Sequence, residues 1–214
     1  MVQVVENTYR YAKTNENCGG VLGAMLGVSN MDASKAFYQK LLGYDVVVYD
    51  ETKVFKDFED LPGGTEKVRR VLLKRSCPKQ GGFGALLGPS EIELVQTFNR
   101  QPNYIYKDRL WGDLGYIHLC FDLRGMTQHR ADAKSIGFPF TVDSAESFDM
   151  GDAAGHFSYV EDPDGTLLEF VETHKVPIIK KLGLYIEMKK RSPVKPLPRW
   201  LVKALKIHKV KNDL

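Results

Sequence analysis

Two glutamates sit in settings where a carboxylate needs a reason. Glu169 lies between Leu168 and Phe170, and Glu93 between Ile92 and Leu94. In an extended chain each carboxylate points away from both apolar neighbours, toward the opposite face of its sheet. Taking an ionised carboxylate out of water costs several kcal/mol unless a cation or strong donors compensate. A metal ion would meet that need, and a proton-transfer task would explain it. The ordinary alternative is an ion pair with Lys or Arg across the sheet.

The elements that position these acids are hairpins. Residues 155–172, GHFSYVEDPDGTLLEFVE, read as a strand, a tight turn over Asp162, Pro163, Asp164 and Gly165, and a second strand carrying Glu169. Residues 83–87 and 92–96 read as a hairpin around Gly88, Pro89 and Ser90, with Glu93 in its second strand. Upstream, residues 21–28 (VLGAMLGV) are apolar enough for a strand. A helix follows, capped by Asn30, with Asp32 in its first turn, Ala33, Ala36, Phe37 and Leu41 on one face, and Gly43 as its stop. Residues 44–49 (YDVVVY) and 68–73 read as strands.

The same order recurs. Residues 116–123 (YIHLCFDL) predict a strand, the segment from Gly125 to Ile136 a helix closed by Gly137, and residues 138–142 an extended run that leads to the Glu169 hairpin. Aligning Val28 with Leu123 puts Met31 on Met126 and Ala36 on Ala131, so the chain is an internal repeat. Each half is strand, helix and three strands, too small to bury both faces of its own sheet. The expected architecture is α+β: two paired βαβββ modules whose curved sheets enclose a cavity lined by Glu93 and Glu169. The boundaries expected are a lead-in at 1–20, a first module at 21–100, a second at 113–175 and a basic extension at 176–214.

Composition fits a globular chain of 214 residues, 43% hydrophobic and 27% charged. No stretch approaches the roughly 20 apolar residues of a membrane span, and no signal peptide is evident, so a cytoplasmic location is expected. Three cysteines, Cys18, Cys77 and Cys120, form no CxxC and suggest neither a disulfide framework nor a thiolate zinc site; Cys120 reads as a small buried apolar residue. The net charge of +3 hides an acidic body and a tail, 174–214, with 12 basic residues against 2 acids. Such a tail can attract nucleic acid or an anionic membrane surface, or fold as a solvated strap; no nucleic-acid partner is expected. Within it, residues 198–209 predict an amphipathic helix whose face of Trp200, Leu201, Ala204 and Leu205 is expected to dock on the body or a second subunit, with membrane-surface binding as the alternative.

The motifs VSNMDASKAFYQKLLGYDVVVYD and YVEDPDGTLLEFVE resemble the vicinal oxygen chelate superfamily, which includes glyoxalase I, extradiol dioxygenases and the fosfomycin and bleomycin resistance proteins. The resemblance covers about residues 20–175. It implies a metal held by residues of the first and last strands of two modules, and these positions fall on His118, Glu169, Glu93 and Gly23. Glycine offers no donor, so the implied set is His118, Glu93 and Glu169, suited to Zn, Ni, Mn, Fe or Co. Glu169 is the implied base. The function implied is a metal-dependent lyase or isomerase acting on a small oxygenated substrate by proton transfer, with its cavity closed within one chain or between the subunits of a homodimer. The alternative is a metal-free protein of the same fold that binds or sequesters a small molecule. A ring-cleaving dioxygenase fits less well, because such sites use two histidines and one carboxylate.

Other polar groups carry weaker expectations. His156 faces either the cavity or the other side of its sheet, and His129, His174 and His208 are expected in solvent. Lys74 and Arg75 offer an anchor for an anionic substrate, with a solvated edge as the favoured reading. Gly81-Gly82-Phe83-Gly84 is a weak match to a phosphate loop, since no clear helix follows.

Overall fold

The computed structural model describes residues 21–77, 81–87, 89–144, 148–149, 154–179, 183–198 and 200–201. Packing divides them into two units, one of residues 21–77 and 89–105, the other of residues 81–87 and 106 onward. The fold is α+β.

In the first unit, Asn30 caps helix α1 (Met31–Leu42) by accepting the Ala33 amide at 3.0 Å, and Gly43 ends it in the left-handed conformation at φ 69°. The helix buries Met31, Phe37, Tyr38 and Leu41. Four strands form one mixed sheet: β1 (Gly23–Gly27), β2 (Val46–Lys53), β3 (Val68–Lys74) and β4 (Glu91–Thr97), in the order β1-β4-β3-β2. β1 runs parallel to β4 and the other pairs are antiparallel. Val71, Leu73, Ile92 and Leu94 are buried with the helix residues as the core. By alternation, Arg70, Leu72, Glu91 and Glu93 occupy the opposite face.

The second unit repeats this plan. β5 (Leu119–Asp122) lies parallel to β9 (Leu167–Ile179), which pairs antiparallel with β8 (Ala154–Glu161). β6 (Val142–Asp143) and β7 (Phe148–Asp149) share the outer edge of β8. β9 is long enough to pair with β10 (Leu184–Glu187) beyond β5, giving six strands. Helix α3 (Met126–Ser135) has no cap of its own, because Gly125 precedes it. Glu172 supplies one, accepting the amides of Gly125 at 2.7 Å and Met126 at 3.4 Å. Burial alone would raise this carboxyl, but those amides and His174 hold it below the usual range.

Several local expectations change. Residues 83–87 are not a strand: one helical turn, α2 (Gly84–Leu87), replaces it. Phe83 joins the second unit's apolar cluster of Ile186, Met188, Leu197 and Leu201, and the Leu197 amide binds the Gly82 carbonyl at 2.8 Å. That distant anchor overrides local strand preference. A helix does follow the Gly81–Gly84 run, but it is a single turn. Trp200 is 69% exposed whereas Leu201, on the same predicted face, is buried in that cluster. The lead-in at 1–20, Cys18, His208 and most of the predicted tail helix lie outside the described residues. Among the described residues, no helix is long and apolar enough to cross a membrane.

Candidate functional site

Parallel pairing of first and last strands places each glutamate opposite an equivalent residue: Glu93 opposite Met25, Glu169 opposite Cys120. Under the Val28–Leu123 alignment these are matching positions, so the two units share a register as well as an order of elements.

In the second unit, His118 and Glu169 meet. Nε2 of the imidazole stands 3.0 Å from Glu169 Oε2, with the side chains 27% and 17% exposed. Tyr159, directly across from Glu169 on β8, donates its hydroxyl to Oε1 at 2.9 Å. Burial, then the hydrogen bond and charge of Glu169, push the Tyr159 phenol above its ordinary range. Trp111 stacks on His118, with ring centroids 5.9 Å apart and planes at 26°, and meets Tyr159 edge-on at 5.8 Å. His118 Nδ1 is buried without a hydrogen-bond partner among the described residues. Nε2 is therefore the engaged edge of the ring.

Cys120 is exposed rather than buried as expected, because it faces the same side as His118. Its thiol nevertheless lies against Glu169, and desolvation followed by that carboxylate pushes it up to about 12. It stays a thiol near neutrality.

In the first unit, Glu93 has a different partner. Arg70 Nε donates to Glu93 Oε1, and Arg70 Nη1 donates to Asp57 Oδ2 at 2.7 Å. Tyr49 donates to the same Glu93 oxygen. The guanidinium lies 4.6 Å from the Phe55 ring centre and 4.2 Å from that of Phe58. Desolvation and then Glu93 raise the Tyr49 phenol, as Glu169 does for Tyr159. At Gly23, a Cβ would run into the Glu91 carbonyl oxygen. The backbone itself leaves no room for a side chain there.

These geometries test the implied metal. Two donors each about 2.1 Å from one ion, at a right angle, stand about 3 Å apart, and His118 and Glu169 have that spacing. The second-unit pair fits. Glu93 does not, because a resident guanidinium already neutralises it. Among the described residues no three His, Cys, Asp or Glu side chains are gathered as a metal site.

The other described histidines are structural. His156 faces the helix side of its sheet, 2% exposed, with Nε2 2.6 Å from Asp143 Oδ1, an acid that also pairs with Arg130. His129, expected in solvent, is buried edge-on against Phe170 at 4.5 Å, and desolvation lowers its pKa. His174, also expected in solvent, is buried beside Glu172 at 3.3 Å. Lys74 pairs with Glu91 across β3 and β4 at 2.7 Å.

Sequence reasoning missed Tyr159, Tyr49, Arg70 and Trp111. Counting back through the Asp162–Gly165 turn would have placed Tyr159 opposite Glu169. Arg69 and Arg70 interrupt an otherwise apolar strand, which was a signal for an internal cation. Trp111 lies in an aperiodic segment and left none.

A small cleft of about 170 Å³ opens within the second unit, walled by Leu110, Trp111, Ile117 and Leu167, with Arg109 and Glu161 as its charged members. Trp111 is common to the cleft and to the His118–Glu169 group.

Comparison with known proteins agrees with this plan. No curated protein matches the sequence. Among solved structures, a glyoxalase family protein from Enterococcus faecalis is similar at 21% identity and TM-score 0.50, covering 72% of this chain and 97% of its own. A glyoxalase family protein from Bacillus cereus is similar at 14% identity and TM-score 0.52, covering 76% and 98%. At these identities the likeness speaks for the fold. A family model matches residues 20–170, and on that match the chain belongs to the Glyoxalase/Bleomycin resistance protein/Dioxygenase superfamily.

Proposed function

We propose that this protein is a lyase or isomerase that moves a proton on a small oxygenated substrate, working in the cytoplasm with a divalent ion held by His118 and Glu169. The observation that supports the reading is the 3.0 Å approach of His118 Nε2 to Glu169 Oε2 on a half-open sheet face. When bound, an ion such as Zn, Ni, Mn, Fe or Co polarises a substrate oxygen and so acidifies the neighbouring carbon.

Glu169 is the base. Its Oε1 is anchored by Tyr159, which fixes the carboxylate plane; Oε2, the edge that faces His118 and would hold the ion, would have to detach before accepting the proton. His118, stacked on Trp111, keeps its Nε2 directed at that edge. Glu93 is left out of the ligand set, since Arg70 and Tyr49 already occupy it.

The experiment is metal analysis of the purified protein with thermal unfolding under added Mn(II), Ni(II) or Zn(II). An ion at 100 times its Kd stabilises the fold by about 2.7 kcal/mol. His118→Ala and Glu169→Gln should abolish that gain. A protein with no bound ion and no stabilisation would instead support the second reading, a metal-free binding or sequestering protein. The observations favouring that reading are the blocked position at Gly23 and the internal cation at Glu93.

A further inference from the structure

Resting on the proposed use of the His118–Glu169 pair, we propose that the cleft beside it binds a small aryl carboxylate, with the ring against Trp111 and the carboxylate on Arg109. The cleft's size selects the ring. A cavity of about 150 Å³ suffices for benzene, and this one measures about 170 Å³, well below the roughly 300–1,000 Å³ of sites for drug-sized ligands.

Its lining selects the chemistry. Leu110, Ile117 and Leu167 are apolar walls, and Trp111 leaves 67% of its surface open to the cleft and solvent. An uncovered indole offers a large flat area for a second ring to stack upon. Because the same indole stacks on His118, a ring seated there lies next to the reactive pair.

Arg109 selects the charge. Its Nη2 donates to the carbonyls of Asp113 at 3.0 Å and Leu114 at 2.7 Å, its Nη1 to the Tyr116 carbonyl at 3.4 Å, and it lies 5.6 Å from the Tyr106 ring centre. All three acceptors are neutral, and Arg109 takes part in no ion pair among the described residues. The guanidinium is thus held in place by neutral acceptors, with two of its five N–H groups unused. The unused Nε–H and Nη1–H diverge, so a carboxylate oxygen accepts from one of them in a single charge-assisted hydrogen bond. Glu161, an exposed acid in the same lining, opposes a dianion such as a phosphate monoester through like-charge repulsion. A monoanion is the fit.

The test is binding of phenylacetate, followed by Trp fluorescence in metal-free Trp200→Phe protein, where Trp111 is the single remaining tryptophan of two. Saturable quenching by phenylacetate is expected, with 2-phenylethanol and acetate each weaker by at least about tenfold, since a charged hydrogen bond or the ring is missing. Arg109→Met should cost a similar factor. Because Arg109 also pins three carbonyls of its own loop, the comparison of phenylacetate with 2-phenylethanol on unaltered Arg109 carries the charge test independently. The same titration is repeated with Glu169→Gln. Retained binding there supports the cleft whatever becomes of the proposed reaction. Binding that requires added Mn(II) or vanishes with Glu169→Gln overturns the cleft while leaving the metal pair standing. Equal affinity for 2-phenylethanol, or no saturable quenching at millimolar phenylacetate, also overturns it.

Discussion

Glu93 and Glu169 hold the same place in two copies of one plan, yet their surroundings differ in kind. Each follows the same parallel register and each accepts a tyrosine hydroxyl, from Tyr49 in one unit and Tyr159 in the other. In the first unit the second partner is a permanent cation, Arg70, itself held by Asp57 and two phenylalanine rings. In the second it is His118, whose nitrogen can exchange a proton or a ligand. The repeat thus fixes where a carboxylate stands, and the opposing group differs between the units, a permanent cation in one and an imidazole in the other.

The largest effect should come from breaking the permanent pair. Arg70→Met strands Glu93, whose side chain is only 12% exposed, and should lower unfolding free energy in urea by about 3–5 kcal/mol. The double variant Arg70→Met with Glu93→Leu should recover most of it. A loss under about 1 kcal/mol for the single variant would mean that Glu93 is as available as Glu169.

Gly23→Ala comes next. Its Cβ meets the Glu91 carbonyl oxygen, so β1 must shift away from β4 at a cost of about 1–3 kcal/mol. The matching residue in the second unit is His118, and His118→Ala should change stability by less than about 1 kcal/mol, because that side chain is 27% exposed.

A pH effect separates the units further. In the second, burial first and then the charge of Glu172 push the Asp122 carboxyl up to about 6, against the pull of Arg124. The folded state therefore binds this proton more tightly than the unfolded chain. Stability is penalised above pH 6, and the penalty fades as pH falls from about 6 toward the unfolded value near 3.9. With solvent screening discounted, Asp122→Asn should gain about 1–2 kcal/mol at pH 8 and nothing below pH 4, measured by urea unfolding across pH.

The smallest effect is at the tyrosine. Tyr159→Phe removes one hydrogen bond to a half-open carboxylate and should cost about 0.5–1.5 kcal/mol. Turnover should fall more than stability if Tyr159 orients the base.

Much of this comparison was legible in the residues. Asn30 and Gly43 marked the first helix because caps act locally, and alternation around Glu93 and Glu169 set which way each carboxylate points. What could not be read depends on distant packing. Phe83 is taken up by a cluster built from residues past Ile186, which turned an expected strand into a helical turn. His129 is buried because Phe170, far along the chain, chooses which face of α3 turns inward. Arg70 was visible as a charge in a strand, but its choice of Glu93 depends on the register of β3 with β4.

The central claim is that only the second unit's glutamate serves as a ligand. Isothermal titration of Mn(II) or Ni(II) into the wild type, Glu93→Gln and Glu169→Gln proteins tests it most directly. The expected result is one ion per wild-type chain, affinity within a few-fold of that for Glu93→Gln, and loss of at least about 100-fold for Glu169→Gln. Equal loss in both variants would contradict it, showing that Arg70 gives way and Glu93 joins the site.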